Sequence, residues 1–521
     1  MKDLFELENI SVFENELVAD TSEENVSRQV RGANYSWVNP KKTAKPELLH
    51  YSKSLLNDLE TEITDFELFT KVVSGNETFK TIKPYAMCYG GHQFGNWAGQ
   101  LGDGRAINIG DIETTSGNWK LQLKGAGPTP YSRGSDGLAV LRSSIREYLC
   151  SEAMHHLGIS TTRALSLVKT GDEVMRDIMY DGNPALETGA IVCRMSTSFL
   201  RFGNFEFISA QKDVDLLKQL TDYTIRHHYP EIQEGPTMYL DFFDAVCART
   251  AEMIVNWQRV GFVHGVMNTD NMSILGHTID YGPYGWLEDY NPGWTPNTTD
   301  AQHKRYRFGN QANIGLWNLA QLANALYPLV NEAEPFEKIL ENFKVLYTTS
   351  YHEMMCYKLG ISEAKAIQQS FVKNLESLLY KSEIDMTLFF RKISEVEYMK
   401  FEQMWTIVLE TSYSNNETLV KQKENWSAWF TEFQSILIRE GLDQTERISQ
   451  MKTVNPKYVL RNYMAQLAID AANKGDYSVL NELYTLLLNP YEDQDDMNKW
   501  FVKRPDWAKE KVGCSMLSCS S

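Results

Sequence analysis

The chain has 521 residues, of which 43% are hydrophobic and 12% aromatic, and a formal net charge of −17. That length and apolar content suit a large core shared by two or three subdomains and exclude a disordered chain. The acidic balance argues against general nucleic-acid binding, and no apolar run reaches the roughly 18 residues that a membrane span needs.

Residues 1–80 mix short acidic segments with a Lys/Pro patch at 39–46 and show no chemistry-bearing pattern. They are expected to form an extension packed on the residues after position 80. The acidic first residues lack both an apolar secretory stretch and an Arg-rich transit pattern, so the cytoplasm is the expected compartment. The seven cysteines, at 88, 150, 193, 247, 356, 514 and 519, form no CxxC pair, and a zinc site is not expected. Five sit among apolar neighbours and read as buried thiols. Cys514 and Cys519 lie in a small polar tail, where an exposed thiol would be open to redox chemistry.

Residues 85–111 are glycine-rich. Gly102-Asp103-Gly104-Arg105 leads into a strand at 106–109. Such glycines let backbone approach a phosphate, with Arg105 adding charge, although Asp-Gly equally signals a hairpin turn. Residues 119–124 alternate strictly. Trp119, Leu121 and Leu123 face one side, and Lys120, Gln122 and Lys124 the other. Lys124 ends that strand beside Gly125 and Gly127, the place where kinases hold the lysine that grips nucleotide phosphates. A loop at 128–137 precedes a helix at about 138–157, whose Leu141, Ile145, Tyr148 and Leu149 form an apolar stripe. Ser144, Glu147 and Ser151 form a narrow polar stripe beside it, and Glu147 is the expected ion-pair partner of Lys124.

Strands are expected at 164–169 and 174–180, around a Thr-Gly-Asp-Glu turn, and at 190–195. Arg194 and Arg201 then bracket a Ser/Thr-rich turn whose Ser196 and Ser198 suit a helix cap and an anion pocket. From about residue 209 the pattern is helical. A long helix at 239–260 leads into the segment 262–283. There His264-Gly265 precedes Asn268-Thr269-Asp270-Asn271, and a short strand-like stretch ends in Asp280-Tyr281-Gly282. An Asn amide oxygen and an Asp carboxylate at that spacing suit a divalent ion shared with phosphate oxygens. The segment resembles the catalytic H-R-D-x-x-x-x-N and D-F-G motifs of protein kinases, except that the position of the catalytic Asp is Val266, which accepts no proton. A polar turn rich in Asn and Asp is the plainer interpretation of the same residues. Helices are expected at 315–327 and in succession over 333–490.

Taken in order, five segments resemble the selenoprotein O family of pseudokinase-fold protein adenylyltransferases: GDGR at 102–105, LKGAGPTPYSRGSDG at 123–137, LRSSIREYLCSEAMHHLGI at 141–159, SFLRFGNFE at 198–206 and HGVMNTDNMSILGHTIDYGP at 264–283. The resemblance implies an α+β, bilobal protein-kinase-like fold. Its parts would be an extension at 1–80, a β-rich N-lobe at 81–205, a helical C-lobe at 206–400 and a further helical region with a Cys-containing tail at 401–521. It implies ATP bound in a flipped orientation, and transfer of AMP to Ser, Thr or Tyr hydroxyls of proteins with release of pyrophosphate. UTP is a possible second donor. By the same resemblance Gly102, Gly104, Arg105, Asp136 and Gly137 would line the nucleotide, and Lys124, paired with Glu147, would bind phosphate. Arg194 and Arg201 would hold the reoriented phosphates. Asn271 and Asp280 would bind Mg²⁺ or Mn²⁺, with Asp280 also beside the nucleotide, and Asp270 would accept the hydroxyl proton in place of the residue missing at 266. No nucleic-acid or membrane partner is expected. The rival readings are a small-molecule or protein phosphotransferase and a silent nucleotide-binding scaffold.

Overall fold

The computed structural model describes residues 2–79, 82–178, 182–396, 400–514 and 516–518. It is a mixed α/β structure whose first two hundred residues build an eight-stranded antiparallel sheet. The strands run in the order Tyr35–Trp37, Tyr85–Met87, Ala106–Thr114, Gly117–Lys124, Ala185–Ser196, Arg163–Arg176, Glu47–Tyr51, with Ala139–Val140 paired to Ala185–Ser196 off that path. Both edge strands therefore come from the segment expected to be only an extension. Alternation on Gly117–Lys124 sorts its side chains as the sequence predicts. Leu121 and Leu123 are buried in a core shared with Leu55, Leu56, Phe69 and Val72. Lys120, Gln122 and Lys124 take the other face, where Arg194 of the neighbouring strand stands opposite Gln122.

Two local expectations give way to tertiary pairing. The Thr-Gly-Asp-Glu run does not reverse the chain, because Arg163–Arg176 is one strand with a register shift between Lys169 and Glu173. The partner strand keeps pairing on both sides, so the run becomes a bulge. Gly171 takes the left-handed φ of +80° there, and a Cβ would meet Lys45 at 2.8 Å. Nor does the strand-like stretch before Asp280 form a strand. The chain makes a 3-10 turn at Thr269–Asn271 and touches its surroundings through the isolated bridges Arg201–Ser273 and Thr161–Thr278.

The helix Met238–Val260 stops at Gly261, whose φ of +77° closes the C-terminus. Phe262–Val263 then pairs with Gly285–Trp286, so the stretch between them is a loop tied at its base. The helix Leu141–His156 is buried on nearly every side, including the polar stripe Ser144, Glu147 and Ser151. Two late helices, Asn462–Ala472 and Ser478–Leu487, pack against it. Tyr484 stacks on Tyr148 at 5.9 Å between ring centres, and its hydroxyl meets Ser52 Oγ at 2.9 Å. Among the described residues no helix is long and apolar enough to cross a membrane.

Candidate active site

Between the sheet and the tied loop lies a cavity of about 730 Å³, lined by Gly102, Gly104, Arg105, Lys124, Asp136, Gly137, Arg194, Arg201, Asp270, Asn271 and Asp280. Residues as far apart in the chain as 102 and 280 thus share one space. Glu147 stands behind them. Its Oε2 lies 2.7 Å from Lys124 Nζ, and its Oε1 accepts from Arg194 Nη1 at 3.3 Å. Burial pulls the Lys124 ammonium below its ordinary range, and Glu147 and Asp280 oppose that shift.

Asp280 is the electrostatic centre. Arg194 Nη1 donates to its Oδ1 at 2.7 Å, Arg201 Nη1 donates to its Oδ2, and Lys124 Nζ lies 3.6 Å away. Burial pushes this carboxyl up, but Arg201, Arg194 and Lys124 outweigh it and hold the group well below the usual carboxylate range. Its backbone sits at φ +56°, a conformation that costs a non-glycine residue about 1 kcal/mol or more. Arg201 also donates to Asp270 O at 2.8 Å, joining the two acidic positions. Both arginines expected to form an anion pocket turn to one carboxylate. Their present anion is the protein's own Asp280.

Asp270 has one oxygen held and one open. Oδ2 accepts from Gln93 Nε2 at 3.2 Å, whereas Oδ1 is buried with no partner among the described residues. Burial pushes its carboxyl up to about 7, against the pull of Gln93 and Arg201. Asn271 Nδ2 donates to Val266 O at 2.9 Å, which leaves its Oδ1 as the acceptor. His264 braces the loop from inside. Its Nε2 donates to Ile279 O at 2.8 Å, and its Nδ1 accepts from Val266 N at 3.4 Å.

Two oxygen donors, Asn271 Oδ1 and an Asp280 held ionised, fit a hard divalent cation. Among the described residues there is no cluster of three or more His, Cys, Asp or Glu side chains arranged as a self-sufficient metal site. Nucleotide phosphates and water would have to complete such a coordination shell.

The glycines have packing reasons of their own. A Cβ on Gly102 would fall 2.3 Å from the Tyr131 ring, and one on Gly137 would fall 2.1 Å from Gly127 O; both residues have left-handed φ. Arg105 is exposed. Asp136 is paired with Arg176 at 2.7 Å, a partner that sequence reasoning missed. Ser196 and Ser198 do not cap the following helix. Ser196 Oγ donates to Ser198 O, while Asn204 Oδ1 receives Arg201 N at the start of helix Phe202–Ala210. Cys514 is buried, and burial pushes its thiol up to about 11, which opposes a reactive exposed thiolate there. Cys519 lies outside the described residues.

Sequence reasoning also missed the short hairpin of Gly90–Gln93 and Asn96–Gln100. His92 N donates to Thr269 Oγ1 at 2.7 Å, Phe94 N donates to Asn268 Oδ1 at 3.1 Å, and Gln93 reaches Asp270. The only signal was its place in the glycine-rich run, since no local pattern marks contacts so distant in sequence.

A family model described as protein adenylyltransferase SelO matches residues 21–488. The protein nucleotidyltransferase YdiU of Flavobacterium johnsoniae is 55% identical over 513 residues, 98% of each chain. Those of Rhodopirellula baltica and Azoarcus sp. are 50% identical over 538 residues (99% of this chain, 100% of the relative) and 51% identical over 514 residues (98% of each). With the family match covering every residue of the cavity and the relatives aligned end to end, this chain belongs to the protein adenylyltransferase SelO family.

Proposed function

We infer that this protein is a nucleotidyltransferase that moves AMP from ATP to Ser, Thr or Tyr hydroxyls of other proteins. One observation supports it above the rest. Lys124, Arg194 and Arg201 converge on Asp280 in a cavity where position 266, the place of a kinase's catalytic base, is valine. The cations suit a triphosphate. The open acceptor is Oδ1 of Asp270.

In the reaction the hydroxyl oxygen bonds to the α-phosphorus. The bond from that phosphorus to the β-phosphate bridging oxygen breaks, and pyrophosphate leaves with the electron pair. The hydroxyl proton passes to Asp270 Oδ1, while Gln93 holds Oδ2 of that carboxylate and Arg201 holds the residue's backbone carbonyl. Arg194, Arg201 and Lys124 are the groups available to the pyrophosphate charge as it develops. Asn271 and Asp280 would hold Mg²⁺ or Mn²⁺, which when bound neutralises phosphate oxygens. Gly102, Gly104, Arg105, Asp136 and Gly137 form the nucleotide-facing rim.

The Lys124–Glu147 pair beneath an antiparallel sheet, above a helical half carrying Asn271 and Asp280, supports a two-lobed kinase-like arrangement. Residues 81–205 and 206–400 are the lobes. Part of 1–80 completes the first sheet, and 401–521 braces the whole.

The test is label transfer to a mixed protein extract in Mg²⁺ or Mn²⁺, with ATP labelled at the α- or the γ-phosphate and a parallel arm of α-labelled UTP. Protein-bound label from the α-position alone is the expected result, and the UTP arm reports the donor preference. Label from the γ-position alone would make the protein a kinase. Bound ATP with no label transferred would make it a scaffold.

A further inference from the structure

A second cavity, of about 430 Å³, opens at the other end of the strand that finishes in Lys124. Lys120 shares a strand face with Lys124 and lies four residues back, roughly 13 Å along the strand. It lines this second space with Arg249 of the helix Met238–Val260 and with His227, His228 and His277. Asp111 is the one carboxylate among the lining residues; one of its oxygens is paired, and Oδ1 is buried with no partner among the described residues. Its Oδ2 accepts from Lys120 Nζ at 2.5 Å, with both side chains buried.

The other ionisable lining residues are basic or phenolic, and the carboxylate of Glu14 acts on Lys120 from outside the lining. Arg249 lies over the Tyr229 ring at 3.8 Å, and its nearest carboxylate is Glu231 at 3.4 Å, on the exposed side. His227 pairs outward with Glu16 at 2.9 Å. His228 Nε2 is buried and has no hydrogen-bond partner among the described residues. An orphaned buried nitrogen costs stability unless something satisfies it. Burial, then the charges of Lys120, His227, His277 and Arg249, push that imidazole down to about 3, so it is neutral within a positive field. Arg249, Leu275 and His277 also wall an adjoining recess, which holds Glu252.

We propose that this cavity is a second anion-binding site, apart from the nucleotide cleft, for a small ligand bearing a phosphoryl or carboxylate group received by Lys120, Arg249 and His228. The site stands on its own geometry, whatever group the first cavity transfers. Part of its wall nevertheless comes from the segments that carry Arg194, Arg201 and Asp280. Thr197 lies between Arg194 and Arg201, and His277, whose Nδ1 meets Ser160 Oγ at 2.6 Å, lies three residues before Asp280. A ligand here therefore contacts chain that continues directly into the arginine clamp on Asp280.

The experiment uses the full chain with its nucleotide cleft saturated by a non-hydrolysable ATP analogue and Mg²⁺. Inorganic phosphate and, separately, succinate are titrated at constant ionic strength and followed by the thermal midpoint. The expected result is a saturable rise with at least one of them, its half-point moved tenfold or more upward in Arg249→Gln and in His228→Phe. Retained nucleotide binding shows that each variant folds, and either variant suffices if the other does not. A response to phosphate alone assigns a phosphoryl ligand, to succinate alone a carboxylate, and to both any small oxyanion. No saturable response to either anion, or a response that both folded variants leave unchanged, would overturn the proposal.

Discussion

Gln93 Nε2 donates to Asp270 Oδ2 at 3.2 Å, across 177 residues of chain. The bond occupies one carboxylate oxygen and leaves the buried Oδ1 without a partner among the described residues, so Gln93 positions the group proposed as proton acceptor. Hydrogen bonds to charged groups are worth about 1.5–3 kcal/mol. Gln93→Ala should therefore lower kcat by about tenfold or more, with little change in the KM for ATP. Steady-state kinetics with a protein substrate would check it. An effect confined to KM would mean that Gln93 serves binding alone.

Asp280→Ala removes the anion that Lys124, Arg194 and Arg201 now share. Metal-dependent nucleotide binding should disappear. Metal-free ATP should bind at least as tightly as before, because the three cations lose their internal partner. Leaving buried charges unmatched should also cost about 3 kcal/mol of stability. Calorimetric titration of ATP with and without Mg²⁺, beside urea unfolding, separates these effects. Metal-dependent binding and transfer that survive the substitution would place the metal elsewhere.

Arg461 joins the late helices to the loop beyond Asp280. It meets Asp385 at 2.8 and 2.9 Å and also pairs with Glu288, all three side chains being buried. Arg461→Ala strands two buried carboxylates and should cost about 3–5 kcal/mol. A urea midpoint close to that of the parent protein would show that the region carries little of the stability.

His50 links the sheet edge to the helix bearing Glu147. Its Nδ1 lies 2.7 Å from the Tyr148 hydroxyl, and burial lowers the imidazole to about 4 from an ordinary 6.5. The unfolded chain thus binds a proton below 6.5 that the fold refuses down to about 4. The stability contributed by neutral His50 is full above pH 6.5 and is lost as pH falls toward 4. The stability difference between the parent and His50→Gln should therefore shrink by at most about 1.4 kcal/mol per pH unit across that window. Urea unfolding of both proteins at pH 7, 6 and 5 tests it, and a constant difference would contradict a neutral buried His50.

Local pattern made much of the cavity legible. The alternation of 119–124 put Lys120, Gln122 and Lys124 on one face, because a strand's side chains alternate whatever surrounds it. The polar stripe of 141–156 singled out Glu147, although not that the stripe is buried, since its partners Lys124, Thr162 and Arg194 come from other parts of the chain. The Thr-Gly-Asp-Glu run misled because a bulge and a turn use the same residues, and only the partner strand decides between them. Gln93, Arg176 and Arg461 carried no local signal, because their roles exist only through distant partners.

Short-range periodicity and motif spacing were enough to set out the order of the chemical groups: a lysine closing a strand, a glutamate on the next helix, paired arginines, and an Asn and an Asp flanking a loop that lacks its base at Val266. Such features are written along the chain and need no knowledge of its packing. Three-dimensional packing alone established that both arginines close on Asp280, that Asp270 keeps one oxygen open, and that a second cationic cavity shares their segments. Burial and charge are properties of the surroundings, and the surroundings of each of these groups come from other parts of the chain.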